Sequence, residues 1–468
     1  YLSFDNHKRG DFKPYLLKST NRGRTWASIS GDLPERGTVY SLAEDDVKPG
    51  LLFAGTEFGL YVTVDGGKRW VRLKGNLPTI AVRALEIQRR ENDLVLATFG
   101  RGFYILDDYT PLRSLSAEML AREATLFAVK RAYMYIPATP LGLKDKAFMG
   151  DSFFSAPNPP SGAIFTYYLR EDLKTRKKAR RAEEKKVEEK GGDVSYPSWD
   201  ELRAEEAEEE PTILLTVTDE SGGVLRRIQG PITAGFHRLA WDLRYPPANP
   251  AVLKPSEEED PFADPKWGPL VLPGSYTVSM SKRVDGKLIP LGEPQTFTAE
   301  PIWEGSLGAQ DRKSFQDFAR RTARLQRAVL GAVEVDKEAQ EHVSYLRQAL
   351  LDTPGADPKL FEEARAIEAR LKDLAVALSG DTVVRKHNEP TSPSIVERVQ
   401  SVASGYWGTT SAPTATHRKA YETAAGQFAE LLPRLRAVVE ADLRSLEEKA
   451  ETAAAPWTPG RIPRWSPE

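Results

Sequence analysis

The stretch Ser19–Trp26, STNRGRTW, returns as Thr63–Trp70, TVDGGKRW, at an offset of 44 residues. Asn21 falls on Asp65, Gly23 on Gly67 and Trp26 on Trp70. A short side-chain oxygen at the first position can accept hydrogen bonds from nearby backbone N–H groups and hold a tight turn. Glycine beside it permits positive φ. The tryptophan offers a large face to bury against the hairpin. Each copy ends on Gly-x-Leu-Pro, as Gly31, Leu33, Pro34 and as Gly75, Leu77, Pro78. A period of this length holds about four short strands, the size of one propeller blade, and such a unit buries its apolar faces only against neighbours of its own kind.

The strands between the turns are legible. TVYSLAED and LLFAGTEFG are bounded by Pro49-Gly50 and Gly59. AVRALEIQ, DLVLATFG and GFYILDD repeat the order a third time, with Phe103-Tyr104 where Leu60-Tyr61 stands and Asp107-Asp108 near the Asp position. The Gly-x-x-Trp part is missing there, as in a terminal repeat. The two polar turns resemble the Asp-boxes of sialidase-like BNR-repeat propellers, the superfamily that includes the sortilin ectodomain. ATFGRGFYILDD (Ala97 to Asp108) resembles the last-blade signature of large bacterial BNR-repeat proteins often labelled glycosyl hydrolases. The resemblance implies a propeller followed by a β-sandwich and a helical tail. It also implies that Asn21, Gly23, Trp26, Asp65, Gly67 and Trp70 are structural, because Asp-boxes in the family lie away from the catalytic face. Trp26 and Trp70 are both expected to be buried.

Residues 1–110 therefore read as two and a half blades. So few would leave sheet faces and edges unpaired. The remaining blades are expected upstream in the precursor or on another propeller-bearing chain. The opening YLSF is already strand-like and reads as a mature or cleaved product, or a piece of something longer. Residues 111–160 read as a connector. From 161 to 305 several alternating strands suggest a β-sandwich. Its AGFHRLAWDLRY and LPGSYTV segments are similar to the Ig-like module of flagellar hook-capping proteins. In AGFHRLAWDLRY, Phe236, Leu239, Trp241 and Leu243 alternate with one slip. A charged helical insertion spans 170–210. Helical periodicity then governs 306–455, with Leu360, Ala364, Ile367, Leu371 and Leu374 on one face of a helix ending at Gly380, and a later helix kinked near Pro433. A Pro/Trp-rich tail spans 456–468. The fold class expected is mainly β with α: a partial Asp-box β-propeller, an Ig-like β-sandwich and a C-terminal helical bundle.

Composition narrows the chemistry. The 468 residues include no cysteine, which removes disulfides, thiolate catalysis and zinc–thiolate sites. A net charge of −2 gives no electrostatic case for nucleic acid, and the Lys174–Arg181 block is offset by adjacent glutamates. No apolar run is long enough to cross a bilayer. The five histidines, His7, His237, His342, His387 and His417, show no zinc-like spacing. Asp45-Asp46 and Asp107-Asp108 lack the spaced oxygen ligands of a calcium loop. No metal and no cofactor are expected.

A sialidase-type site needs three arginines on the substrate carboxylate, a Tyr–Glu nucleophile pair and an acidic proton donor. The tripeptide Arg461-Ile462-Pro463, which carries the first such arginine in sialidases, stands here in a tail after a long helix and reads as coincidence. Catalytic residues are therefore expected to be none. The ligand-binding candidates are Glu57 and Arg101 in the equivalent glycine-bearing loops GTEFGL and TFGRGF, then Asp5, His7 and Arg9 in a polar loop between strands. Tyr406 and Trp407 in SGYWGTTSAP read as carbohydrate or protein contacts, or as packing on the helices. The functional expectation is a non-catalytic scaffold or protein- or peptide-binding part of an exported bacterial sortilin-like protein, with a peptide, protein or glycan ligand. The alternative is the C-terminal scaffold half of a sialidase-like glycoside hydrolase whose catalytic residues lie outside this chain.

Overall fold

A computed structural model describes residues 1–137, 150, 155–253, 267–302, 309–409 and 412–467, with the side chains of residues 309, 310 and 406 outside the description. The first 110 residues form three successive antiparallel sheets. Strands β1 (Leu2–Asn6), β2 (Asp11–Lys18) and β3 (Ala27–Ser28) make the first. Strands β4 (Val39–Glu44), β5 (Leu52–Thr56), β6 (Gly59–Thr63) and β7 (Val71–Leu73) make the second, in sequential order. Strands β8 (Val82–Gln88), β9 (Asp93–Thr98) and β10 (Phe103–Leu106) make the third.

The middle sheet explains its own sequence. Every residue of β5 and β6 is buried, so LFAGT and GLYVT read as continuous apolar runs instead of alternating ones. One face of the sheet, with Leu52, Ala54 and Tyr61, joins Leu16 of the first sheet in one core. The other, with Phe53, Leu60 and Val62, joins Val82, Leu94 and Leu96 of the third. The outer sheets keep only their inner faces buried. Phe4 is 47% exposed on the first and Phe103 77% exposed on the third.

The repeated turn is built the same way twice. The Ser19 hydroxyl accepts from Gly23 N–H at 2.7 Å, and the Thr63 hydroxyl accepts from Gly67 N–H at 3.1 Å. Asn21 Oδ1 accepts from Thr25 N–H at 2.9 Å, and Asp65 Oδ1 from Arg69 N–H at 3.1 Å. Gly23 and Gly67 take φ of 83° and 95°. The tryptophans then diverge. Trp70 is 6% exposed and docks on the preceding repeat: its backbone N–H donates to Asp32 Oδ1 at 2.6 Å, and its indole Nε1–H to the Ile29 carbonyl at 2.9 Å. Trp26 is 40% exposed and donates only to the Gly23 carbonyl of its own turn, at 3.1 Å. The expectation that both are buried is thus corrected for Trp26. Burial of this residue depends on a neighbouring exit turn, and no described residue stands in that place.

Two further sheets follow. Their strands are β11 (Ala124–Leu126), β12 (Ala132–Met134), β13 (Ala163–Leu169), β14 (Thr212–Asp219), β15 (Val224–Gly230), β16 (Gly235–Trp241), β17 (Gly274–Val284) and β18 (Lys287–Pro301). One sheet has the order β11-β13-β16, the other β12-β18-β17-β14-β15, and they share one core around Trp241, Phe165 and Phe297. The segment read as a connector holds a short helix, α1 (Ala117–Ala121), and donates β11 and β12 to these sheets. Three-residue strands carry too little alternation to be read in isolation. The rest of that connector, 138–149 and 151–154, lies outside the described residues. The slip in the alternation of β16 is Phe236. It pairs opposite Tyr168, on the face away from Leu239 and Trp241, and stacks on Phe127 with ring centroids 5.9 Å apart. Between β13 and β14 the charged segment folds into α2 (Arg176–Glu189) and α3 (Trp199–Glu206), joined by the Arg180–Glu205 ion pair.

The C-terminal region is helical: α4 (Ala309–Leu351), α5 (Pro358–Ser379), α6 (Thr382–Lys386), α7 (Ile395–Trp407), α8 (Ala415–Arg436) and α9 (Arg444–Thr452). The expected stripe of α5 is buried, from Leu360 to Leu374, between an Asp357 cap and Gly380. The expected kink at Pro433 takes another form: α8 runs through it and passes into a π-helical stretch, Ala437–Leu443. Proline withholds one N–H from the helical ladder, and a wider turn nearby can absorb that defect. The whole is mixed α/β, with 36% helix and 27% strand. Helix outweighs the expected β content because α4 alone runs 43 residues. Among the described residues no helix is long and apolar enough to cross a membrane.

Replacing Trp70 by Ala removes a buried indole and is expected to cost about 3–5 kcal/mol. Trp26→Ala should cost about 1 kcal/mol or less, as for an exposed side chain with one local hydrogen bond. Denaturant unfolding of the two variants tests this, and equal losses would refute the docking asymmetry.

Candidate functional site

The stacking of the sheets gathers polar groups at one end of β4 and β8. Strand β8 runs against β4 and β5, and β4 runs against β1. The second residue of β4 is Tyr40 and the second of β8 is Arg83. The Arg83 guanidinium lies 3.9 Å from the Tyr40 ring centroid and 5.4 Å from that of Phe99, in the β9–β10 loop. Arg83 is exposed and forms no ion pair among the described residues. Stacking between rings orients the planar fork while leaving its N–H groups available.

Three of the expected candidates border this stack. Asp5 accepts the His7 N–H at 2.9 Å and also meets the His7 ring. The His7 backbone and ring hold the Asp5 carboxyl below its ordinary range, with a smaller contribution from the Arg83 charge. Burial pushes the Tyr40 hydroxyl up; the Arg83 charge opposes this, and the charges of Glu57 and Asp5 add to it. Glu57 is held by its backbone, whose N–H donates to the Thr38 carbonyl at 2.9 Å. Arg9 and Arg101 are exposed and make no ion pair among the described residues. Trp407 is 5% exposed in a cluster with Phe318, Ala319, Val402 and Ala403, so its role is packing between helices and not surface contact. The side chain of Tyr406 lies outside the described residues.

Tyr40, Arg83 and Phe99 were not singled out in the sequence. The signal for two of them was the repeat itself: TVYSL and AVRAL place Tyr40 and Arg83 at the same position of the first strand of each unit. The assembled patch offers one oriented cation, two carboxylates and aromatic faces. That set suits a carboxylate flanked by hydrogen-bond donors, as a peptide presents.

The most heavily bonded carboxylate near the sheets is structural. Asp45 is buried and takes both Nε and Nη2 of Arg113, the Tyr109 hydroxyl at 2.8 Å and the Lys48 N–H at 2.6 Å. Burial would raise its pKa, but the bonds from Arg113, Lys48 and Tyr109 outweigh it and hold the carboxyl below its usual range. Arg113 continues to Asn92 Oδ1 at 2.7 Å, so the network ties the second sheet to the third. The Arg461 of the Arg-Ile-Pro tripeptide is likewise occupied: it donates to the carbonyls of Ala455 and Pro456 and to Glu451. Among the described residues, no group of three or more His, Asp or Glu is arranged to hold a metal ion.

No protein-family model matches the chain, and no curated protein matches its sequence.

Arg113→Ala strands a buried carboxylate and is expected to cost about 3–5 kcal/mol at neutral pH. A depressed carboxyl contributes stability above its unfolded pKa of about 4, and that contribution is lost as pH falls through the lower folded value. The stability gap between wild type and Arg113→Ala should therefore narrow between pH 6 and pH 3. Acid titration of thermal unfolding reads this directly, and a constant gap would overturn the assignment.

Proposed function

We propose that the chain is the non-catalytic scaffold and peptide- or protein-binding part of an exported bacterial BNR-repeat protein of the sortilin-like kind. The observation that carries this reading is the polar turn at residues 19–26 and 63–70, closed in both copies by a hydroxyl on the glycine N–H and a side-chain oxygen on the N–H four residues on, with Trp70 docked on the exit turn of the repeat before it. In this reading the three stacked sheets are consecutive blades of a larger propeller, which further sheets upstream in the precursor or on another chain complete. The two-sheet unit around Trp241 corresponds to the Ig-like module, and the helices form the tail. Export and bacterial origin come with the resemblance of the Asp-box turns.

The ligand end is the mouth lined by Asp5, His7, Tyr40, Glu57, Arg83 and Phe99. Arg83 is its anchor, a cation oriented by two rings and open to a carboxylate. Loops at one end of a rigid sheet stack are the usual place for recognition.

Two measurements test the reading. The purified chain should retain peptides bearing acidic residues on a peptide array, with retention reduced at least tenfold in Arg83→Ala. It should not turn over a panel of chromogenic glycosides. Specific turnover of any of them would replace this reading with that of a sialidase-like glycoside hydrolase, and retention unchanged by Arg83→Ala would remove the assigned ligand end.

A further inference from the structure

The charged segment between β13 and β14 pairs nearly all of its own charge. On α2, Arg180 donates to both oxygens of Glu205 on α3, at 2.6 and 2.8 Å, and to Glu184 at 2.5 Å. Lys177 pairs with Glu206, Lys178 with Glu210, Lys185 with Glu189 and Lys186 with Glu183. Arg176 reaches Asp285 in the β17–β18 turn at 2.9 Å and ties this helical hairpin to the sheet. Arg181 is the basic residue of α2 left over: it is exposed and forms no ion pair among the described residues.

The same hairpin presents apolar surface that its own fold does not cover. Val194 is 38% exposed, Tyr196 78% and Trp199 71%, and the last two rings meet edge to face with centroids 6.3 Å apart. Three such residues within six positions of a charged segment mark a contact surface. An open groove of about 480 Å³ lies here, lined by Val194, Tyr196, Pro197 and Leu202 together with Lys177 and Arg181. That volume is within the range of sites that take a small ligand or a side chain. Thr175 caps α2, and a Ser198–Glu201 capping box opens α3, so the helices flanking the groove are fixed within the chain.

We infer that this groove is a second binding site, for a partner's peptide segment that carries an aromatic side chain next to a single carboxylate. The ring packs on Tyr196 with Val194, Pro197 and Leu202, and the carboxylate takes the open Arg181 fork, with Lys177 beside it. Arginine and tyrosine are among the side chains that dominate binding energy once water is excluded from them. The uncharged lining is mostly aliphatic and aromatic, which suits a ring better than the hydroxyls of a sugar, each of which needs its own partner. Glu184 in the lining and the four acidic residues of α3 repel a run of carboxylates, so the site selects one. An anionic membrane surface is disfavoured, because α2 and α3 together carry as many acidic as basic side chains. The inference rests on the hairpin alone and is independent of Arg83 and of the repeat.

The test titrates the fluorescently labelled peptide Gly-Ser-Phe-Glu-Ser-Gly with the full chain carrying Arg83→Ala, so that the ligand end does not contribute, and follows anisotropy. Saturable binding is expected, weakened at least tenfold by Arg181→Ala or Tyr196→Ala in the chain, and equally by Phe to Ala or Glu to Gln in the peptide. Both substituted chain residues are exposed, and an unchanged circular dichroism spectrum confirms that the variants fold. Arg181→Glu should reverse the preference toward the peptide with Lys in place of Glu. Absence of saturable binding overturns the proposal, as does binding that survives either Arg181→Ala or Tyr196→Ala. Retention of the chain on phosphatidylserine vesicles through Tyr196, without peptide uptake, overturns it in favour of a membrane. Self-association abolished by Tyr196→Ala, again without peptide uptake, overturns it in favour of a second copy. Acidic peptides that lack an aromatic residue report on the ligand end at Arg83, so the failure of either site leaves the other standing.

Discussion

The sheet region depends on one interaction between repeats, the docking of Trp70 on the turn of the unit before it. The polar turn by itself is local. Asp65 and Thr63 satisfy backbone donors within a few residues and would do so in isolation. Trp70 converts that local clip into a joint, because its two donors reach 38 and 41 residues back along the chain. Both partners lie on one short turn, so the joint fixes the spacing and the rotation between sheets together. The glycines at 31 and 67 allow the two backbones to approach closely enough for it to form.

Given that joint, the burial pattern follows. A sheet with neighbours on both sides buries both faces, and β5 and β6 do. A sheet with one neighbour buries one face, and β10 leaves Phe103 and Ile105 in solvent. In the proposed reading the apolar residues of the outer faces meet further sheets of the same kind. Exposed aromatic residues on both ends of a stack are otherwise an association hazard. The network of Asp45, Arg113, Tyr109 and Asn92 adds a polar tie on the side of the third sheet, where the Gly-x-x-Trp element is missing. Arg238 extends the tie to the next unit by donating to the carbonyls of Asp107 and Asp108.

What the sequence made legible was local or periodic. The polar turn, the Gly-x-Leu-Pro exits, the α5 stripe and its Gly380 stop all depend on residues close together, and they are found where the pattern puts them. What it hid was set by distant partners. Trp26 and Trp70 stand at the same position of the repeated turn, yet only one is buried, because burial is decided by the preceding repeat. Strands β11 and β12 are too short to announce themselves and exist because β13 and β18 offer edges. Phe236 broke the alternation of β16 because it serves a second aromatic cluster with Phe127 and Tyr168. Of the ligand candidates, Asp5, His7 and Glu57 came together, but the cation at their centre did not stand out in the sequence. An arginine's availability is a property of its partners and leaves no local trace.

The arginines make the last point general. Arg113 is spent on a buried carboxylate, Arg238 on two main-chain carbonyls, and Arg461 on a helix end and a glutamate. Each of those guanidinium groups joins one piece of structure to another, and filling it with a ligand would require breaking that joint. Arg83 is held differently. Aromatic faces fix its plane without occupying its donors. Orientation without saturation is what a recognition site needs, because the cost of ordering the side chain is met before the ligand arrives. The repeat places Tyr40 and Arg83 at the same position of successive units, and the packing of the third sheet on the second, through the core of Phe53, Leu60, Val62, Val82, Leu94 and Leu96 and the tie from Asp45 through Arg113 to Asn92, brings them together.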